Sequence, residues 1–153
     1  MKLKDILLRE ACIVDMKART KKEALRELSG VLAGSVKGLE SAGLLEMLLE
    51  REKLGTTAMG DGIAIPHARI ESLDRLLASF GRSRQGVDFE SVDGKPTHLF
   101  FLLVAPGREG SAHLLTLARL SRLLSSPEFR SRLMDAESGD DLFRALEEEE
   151  SKH

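Results

Sequence analysis

The run His98-Leu99-Phe100-Phe101-Leu102-Leu103-Val104, set between Pro96 and Pro106, constrains the fold more than any other segment. A strand with one wet face alternates apolar and polar side chains, and this one stays apolar almost throughout. Both of its faces must therefore be covered. The pattern predicts a central strand over residues 98–104 in a sheet with helices packed on it.

The flanking segments supply those helices. Thr20-Lys21-Lys22-Glu23 has the form of a capping box, in which the Thr hydroxyl and the Glu carboxylate take up the first free N–H groups of a helix. Ala24, Leu25, Leu28, Val31 and Leu32 recur at helical spacing, which predicts a helix over 21–33. Gly34 and Gly38 bracket a loop. A second helix is expected over 40–50, burying Leu44, Leu45, Leu48 and Leu49, with Gly55 helping to end it. Residues 63–65 read as a short strand stopped by Pro66, residues 76–80 as another, and 91–96 as a turn. Ser111 is expected to cap a helix reaching Leu124, with Leu114, Leu117, Leu120 and Leu124 facing inward. Ser126-Pro127 opens a short helix that buries Phe129 and Leu133. Ser138, three residues before Asp141, caps a last helix carrying Leu142, Phe143 and Leu146. The order is helices, strands, helices, without repeats: a single α/β domain with a mixed sheet packed by helices.

At 153 residues, 42% hydrophobic and 31% charged, the chain can bury a core and solvate a surface, which suits one ordered domain. No apolar run approaches the ~18–20 residues that span a bilayer, and the start lacks the apolar stretch of a secretion signal. Cys12 stands alone and cannot form an internal disulfide. A cytoplasmic protein without membrane insertion is expected. The formal charge of −2 lacks the basic excess of a nucleic-acid binder, and with six Phe, no Tyr and no Trp a base-stacking platform is not expected. Residues 1–147 are assigned to the domain, and 148–153, the end of the Glu147-Glu148-Glu149-Glu150 run, to a frayed acidic tail.

Four histidines carry the possible chemistry. His67 follows a strand and a proline in Gly60-Asp61-Gly62-Ile63-Ala64-Ile65-Pro66-His67-Ala68-Arg69, so its imidazole leaves the strand end in a defined direction. A turn histidine without a role is the competing reading. The G-x-G adds little, because the Lys-Ser/Thr of a phosphate-binding loop is missing. His113 falls in the first turn of its helix, where the dipole disfavours imidazolium and keeps the ring neutral; the alternative is a capping-region residue. His98 opens the apolar strand and reads as structural, and His153 is terminal. No two histidines lie three to five residues apart, so a zinc site is not indicated. The G-x-S-x-G turn of a serine hydrolase is absent. Glu71 and Asp74 read as solvated, and Cys12 as a small buried side chain.

Arg51-Glu52-Lys53-Leu54-Gly55-Thr56-Thr57, followed by the Gly60–Ala68 segment, resembles the type-2 EIIA domain of the phosphoenolpyruvate:sugar phosphotransferase system, the fructose/mannitol family. The resemblance extends over about residues 3–146. Within the family it is strongest to the stand-alone nitrogen-regulatory EIIA, through REKLGTT, GDGIAIPHA and AHLLTLARL. Thr56 stands where Ser is common, and Ala58-Met59 where Gly-Ile is usual.

The resemblance implies a phosphotransferase component with a mixed sheet packed by helices. It implies that His67 accepts a phosphoryl group, that Arg51 stabilises it and that His113 donates a hydrogen bond to it. Thr56 and Thr57 become candidates to support those groups, with no cofactor and no metal. The implied donor is an HPr-like phosphocarrier. The implied targets are regulated proteins such as potassium-transport systems and sensor kinases, or alternatively an EIIB domain on a sugar-uptake route. A binding module that is never phosphorylated is a further alternative, against which the intact Arg51, His67 and His113 argue.

Overall fold

The computed structural model describes residues 2–107 and 110–153. Its centre is the strand expected from the apolar run. β5 (Thr97–Pro106) has partners along both edges. Leu99, Phe101, Leu103 and Ala105 enter one hydrophobic cluster, while Phe100, Leu102 and Val104 enter a second on the opposite face. Continuous hydrophobicity thus resolves into ordinary strand alternation between two dry faces. Each fully buried Leu or Phe contributes about 1.5–3 kcal/mol.

On the first face lie α1 (Leu3–Ile6), α4 (Gly110–Leu124), α5 (Pro127–Asp135) and α6 (Gly139–Ser151); on the second, α2 (Lys21–Ser35) and α3 (Ser41–Lys53). The protein is a single-domain α/β fold with a mixed sheet packed by helices, as the sequence predicts, and α1 adds a sixth helix to the five expected. Thr20 caps α2 by accepting from the Glu23 N–H at 3.3 Å. The Glu23 carboxylate reaches one residue further back than a capping box requires and accepts from the Arg19 N–H at 2.9 Å. Ser126 and Ser138 cap α5 and α6 as expected. The capping role assigned to the Ser111 side chain lies outside the described residues.

The remaining strands are β1 (Ala58–Gly60), β2 (Ile63–Ala64), β3 (His67–Ile70) and β4 (Leu77–Val87). β2 and β3 both run parallel to β5, pairing Ile63 with Leu99, Ala64 with Phe100 and His67 with Leu103. The offset is the same for all three pairs, so β2 and β3 are one line interrupted at Ile65-Pro66. Pro66 has no N–H to give to a ladder. Beyond it the chain resumes pairing, and His67 opens β3 rather than ending a strand. β4 pairs antiparallel with β5 and runs well past the expected residue 80. Its second half is polar and gives no apolar strand pattern, yet Arg82 is wholly buried. At Gly81 a Cβ would sit 2.6 Å from Met16 Sδ and 2.9 Å from Leu28 Cδ2, so any larger residue there would push both side chains aside.

Two expectations need correction. The acidic end does not fray at 148: α6 continues to Ser151, and Glu149 is 5% exposed. Glu150 accepts from the Leu3 N–H at 2.9 Å and the Lys4 N–H at 3.4 Å, so the chain end satisfies free donors at the start of α1. Leu114 does not face inward. It is 63% exposed, whereas Leu120, Leu123 and Leu124 are buried. The first turns of α4 overhang a depression instead of the core.

Candidate functional site

That depression, about 390 Å³, is lined by Met47 and Arg51 of α3, His67, Ala68 and Arg69 of β3, and His113, Leu114 and Leu117 of α4. Three elements distant in sequence therefore bring Arg51, His67 and His113 to one place. The strand break sets the pose of His67. Freed from the ladder, the Ile65 carbonyl accepts from His67 Nδ1 at 2.9 Å. A carbonyl can only accept, so the proton lies on Nδ1 and the lone pair on Nε2. Arg51 Nε–H points at that lone pair from 3.3 Å, and Arg51 Nη1 donates to the Gly55 carbonyl at 2.9 Å. The same arginine is thus held by the loop that follows its own helix. Gly55, at φ +148°, ends α3, with its N–H on the Glu52 carbonyl at 3.1 Å.

The rings of His67 and His113 are 5.1 Å apart at 57°. Burial pushes the His67 pKa below its usual value, and the Arg51 and Arg69 charges push the same way against the Ile65 hydrogen bond. His113 is 4% exposed, and its pKa falls to about 4 through burial, then through His67 and Arg69. Both rings are neutral near pH 7. His113 Nδ1 is buried with no hydrogen-bond partner among the described residues. A neutral nucleophilic nitrogen, flanked by a guanidinium and a second imidazole in an apolar-rimmed depression, can accept an electrophilic group and stabilise negative charge on it.

Thr56 and Thr57 support the loop and do not bond to His67. Thr56 Oγ1 donates to the Phe89 carbonyl at 3.0 Å and accepts from the Ala58 N–H at 3.1 Å. Thr57 bonds to the Glu52 carboxylate through both its N–H and its hydroxyl. His98 Nδ1 donates to the Ser83 carbonyl at 2.8 Å, apart from the depression. His153 meets Glu149 at 3.4 Å, and Glu71 and Asp74 are exposed. Burial raises the Cys12 thiol to about 11, which makes it a poor nucleophile. Arg69 is the site residue that motif reading passes over. Its signal is spacing, because residues two apart on a strand share a face.

The family described as phosphoenolpyruvate-dependent sugar phosphotransferase system, EIIA 2, matches residues 5–149. The nitrogen regulatory protein of Bradyrhizobium diazoefficiens is 39% identical over 146 residues, covering 95% of each chain. The fructose-specific EIIABC component of Bacillus subtilis is 38% identical over 140 residues, which are 92% of this chain and 22% of that longer protein. The crystal structure of nitrogen regulatory protein IIA-Ntr from Neisseria meningitidis gives a TM-score of 0.87 at 34% identity, over 94% of this chain and 97% of that one. No helix among the described residues is long and apolar enough to cross a membrane. Sequence and fold agree over nearly the whole length, and the chain belongs to the EIIA type-2 family of the phosphoenolpyruvate-dependent sugar phosphotransferase system.

Proposed function

We propose that this EIIA is a phosphoryl carrier whose His67 takes a phosphoryl group on Nε2 from a phosphohistidine of an HPr-like protein, and that its phosphorylation state controls partner proteins in nitrogen regulation. The observation that carries this reading is the imidazole's pose, with Nδ1–H on Ile65 and the Nε2 lone pair facing Arg51. The nitrogen–phosphorus bond of the donor breaks, its electron pair returning to the donor ring, as the Nε2–phosphorus bond forms. The Nδ1 proton stays in place, so His67 needs no base. As Nε2 shares its pair the ring gains positive charge, which the Ile65 carbonyl stabilises. The donor bond is already activated, and this chain supplies positioning and electrostatic stabilisation. Arg51 presents planar donors to the phosphoryl oxygens, and neutral His113 offers one more.

Incubation with phosphorylated carrier should label the native protein with one acid-labile phosphate and leave His67→Ala unlabelled. Undiminished labelling of that variant would overturn the assignment. Arg51→Ala should slow transfer in both directions by ~10²–10³, the usual cost of one transition-state donor. His113→Ala should still accept phosphate but hold it less stably.

A second reading is supported by the 38% identity to the Bacillus subtilis fructose-specific component: transfer from His67 to an EIIB domain on a sugar-uptake route. Efficient transfer to such a domain, with no partner sensitive to phosphorylation state, would select it.

A further inference from the structure

The Glu52 carboxylate is buried, 8% exposed, one residue after Arg51, and its hydrogen bonds go to Thr57 rather than to a histidine ring. Its Oε1 accepts from the Thr57 N–H at 3.0 Å and from Lys21 Nζ at 3.0 Å, and its Oε2 accepts from the Thr57 hydroxyl. The Thr57 carbonyl in turn accepts from the Ile65 N–H at 3.1 Å. The Ile65 carbonyl holds His67 Nδ1–H at 2.9 Å. One carboxylate is therefore linked to the His67 ring by three successive contacts, through Thr57 and then through Ile65, whose carbonyl fixes the tautomer. The same anchor closes the loop from Leu54 to Thr57, within which Gly55 holds the Arg51 guanidinium. Both nitrogens of the His67 ring are thus governed from one point, Nδ1 through Ile65 and Nε2 through Arg51.

We infer that Glu52 is a positioning residue: with Thr57 it clamps the strand interruption at Ile65-Pro66 so that His67 presents the Nε2 lone pair, and not Nε2–H, to Arg51 and to an incoming phosphoryl group. A charged side chain is rarely buried unless paired. This one accepts from a backbone N–H and a hydroxyl of the loop that follows Arg51, and from an ammonium of α2. Lys21 extends the clamp to the first residue of α2 and lies over the Phe89 ring at 5.0 Å. Loss of the carboxylate releases the Thr57 N–H and hydroxyl, which loosens the Thr57–Ile65 contact and lets the Ile65 carbonyl turn away from the imidazole. With that acceptor gone one of the two contacts that keep the proton on Nδ1 is lost, and Arg51, held by the same loop, is left as the weaker support for the Nε2 lone pair.

The inference rests on His67 Nε2 as the phosphoryl acceptor, but its test is read first in unmodified protein. Long-range ¹H–¹⁵N correlation spectra should give native His67 as the Nδ1–H tautomer and Glu52→Gln as a mixture. His98, whose Nδ1 bonds to Ser83 on β4, should be unchanged and serves as the control for folding. Phosphoryl transfer from an HPr-like carrier to Glu52→Gln should slow by about 10–10²-fold, the scale set by a displacement near 1 Å in a reacting geometry. Thr57→Val should reproduce the tautomer mixing and Thr57→Ser should restore the native spectrum, a contrast that general loosening of the fold would not produce. This pair keeps the test open if Glu52→Gln fails to fold. A folded Glu52→Gln or Thr57→Val protein with the native His67 tautomer and native transfer rate would overturn the positioning role. A native protein with the expected tautomer that takes up no phosphate would overturn the proposed phosphoryl chemistry and leave the tautomer clamp standing.

Discussion

His113 is the residue whose chemistry depends most on its surroundings. Buried at the start of α4 against His67 and near Arg69, it titrates at about 4, where a free imidazole titrates near 6.5. A phosphoryl dianion on His67 reverses part of that environment and should move the His113 titration upward; ring-proton NMR before and after phosphorylation reads this directly. The same depression couples to stability. Above pH 6.5 the folded and unfolded chains both hold His113 neutral, and its full contribution is present. Between 6.5 and about 4 the unfolded chain takes up the proton first, so stability falls with pH across that window and levels off below it. Denaturant unfolding of His113→Gln should show a shallower loss between pH 7 and pH 4.5 than the native protein. An identical pH dependence would place the protonation elsewhere. At this scale the site is partly legible in the sequence. His67 stands after a strand and a proline, and His113 in a helix's first turn, both local signals. Arg51 enters through the family motif. Glu52 and Arg69 stay hidden, because one acts through contacts that only the folded loop creates and the other is an unremarkable arginine until β3 turns it onto the face of His67.

Among the elements, β4 departs furthest from its pattern, and Arg82 is the reason. This side chain, fully buried, donates through Nε to the Val14 carbonyl at 3.0 Å and through Nη1 to the carbonyls of Leu133, Met134 and Ala136. Those three lie at the C-terminal end of α5, where helical carbonyls lack partners. One guanidinium therefore ends a helix, binds it to the sheet and anchors the segment that leads toward α2. Arg82→Met should lower unfolding stability by about 3–5 kcal/mol, the scale for breaking a buried charged network. Arg82→Lys should recover only part, since a point ammonium cannot reproduce the planar fork. Urea midpoints with an unchanged slope measure both, and a loss under 1 kcal/mol would deny Arg82 this role. The contrast with β5 explains what sequence can convey about elements. β5 announces itself because its partners are generic apolar surface on both sides. β4 beyond Gly81 is polar, and its pairing depends on one arginine meeting carbonyls some fifty residues away, which no local periodicity encodes. The acidic end is similar: Glu149 and Glu150 look like solvated charge until α1 is found beside them.

For the whole molecule, the proposed phosphorylation of His67 would change the surface charge at one depression. Arg51 and Arg69 flank His67 within an apolar rim of Met47, Leu114 and Leu117, so the unmodified face is cationic and apolar. A phosphoryl group adds about −1.5 to −2 charge there, nearly cancelling the two guanidiniums. A partner that docks acidic and apolar side chains on this face should therefore prefer the unmodified protein, and a target discriminating by tenfold corresponds to about 1.4 kcal/mol. Much of that difference should be electrostatic. It should shrink between 0.05 and 0.5 M salt as the Debye length contracts, roughly from ~14 to ~4 Å. Substituting Leu114→Ser, by contrast, should weaken both states about equally, because it removes apolar contact area without touching charge. Binding measured for native and phosphorylated protein across that salt range, with Leu114→Ser in parallel, separates the two contributions. A partner whose preference for one state persists undiminished at high salt would show that phosphorylation acts by moving the chain around His67, and a complete lack of state-dependent partners would leave phosphate transfer itself as the output of the molecule.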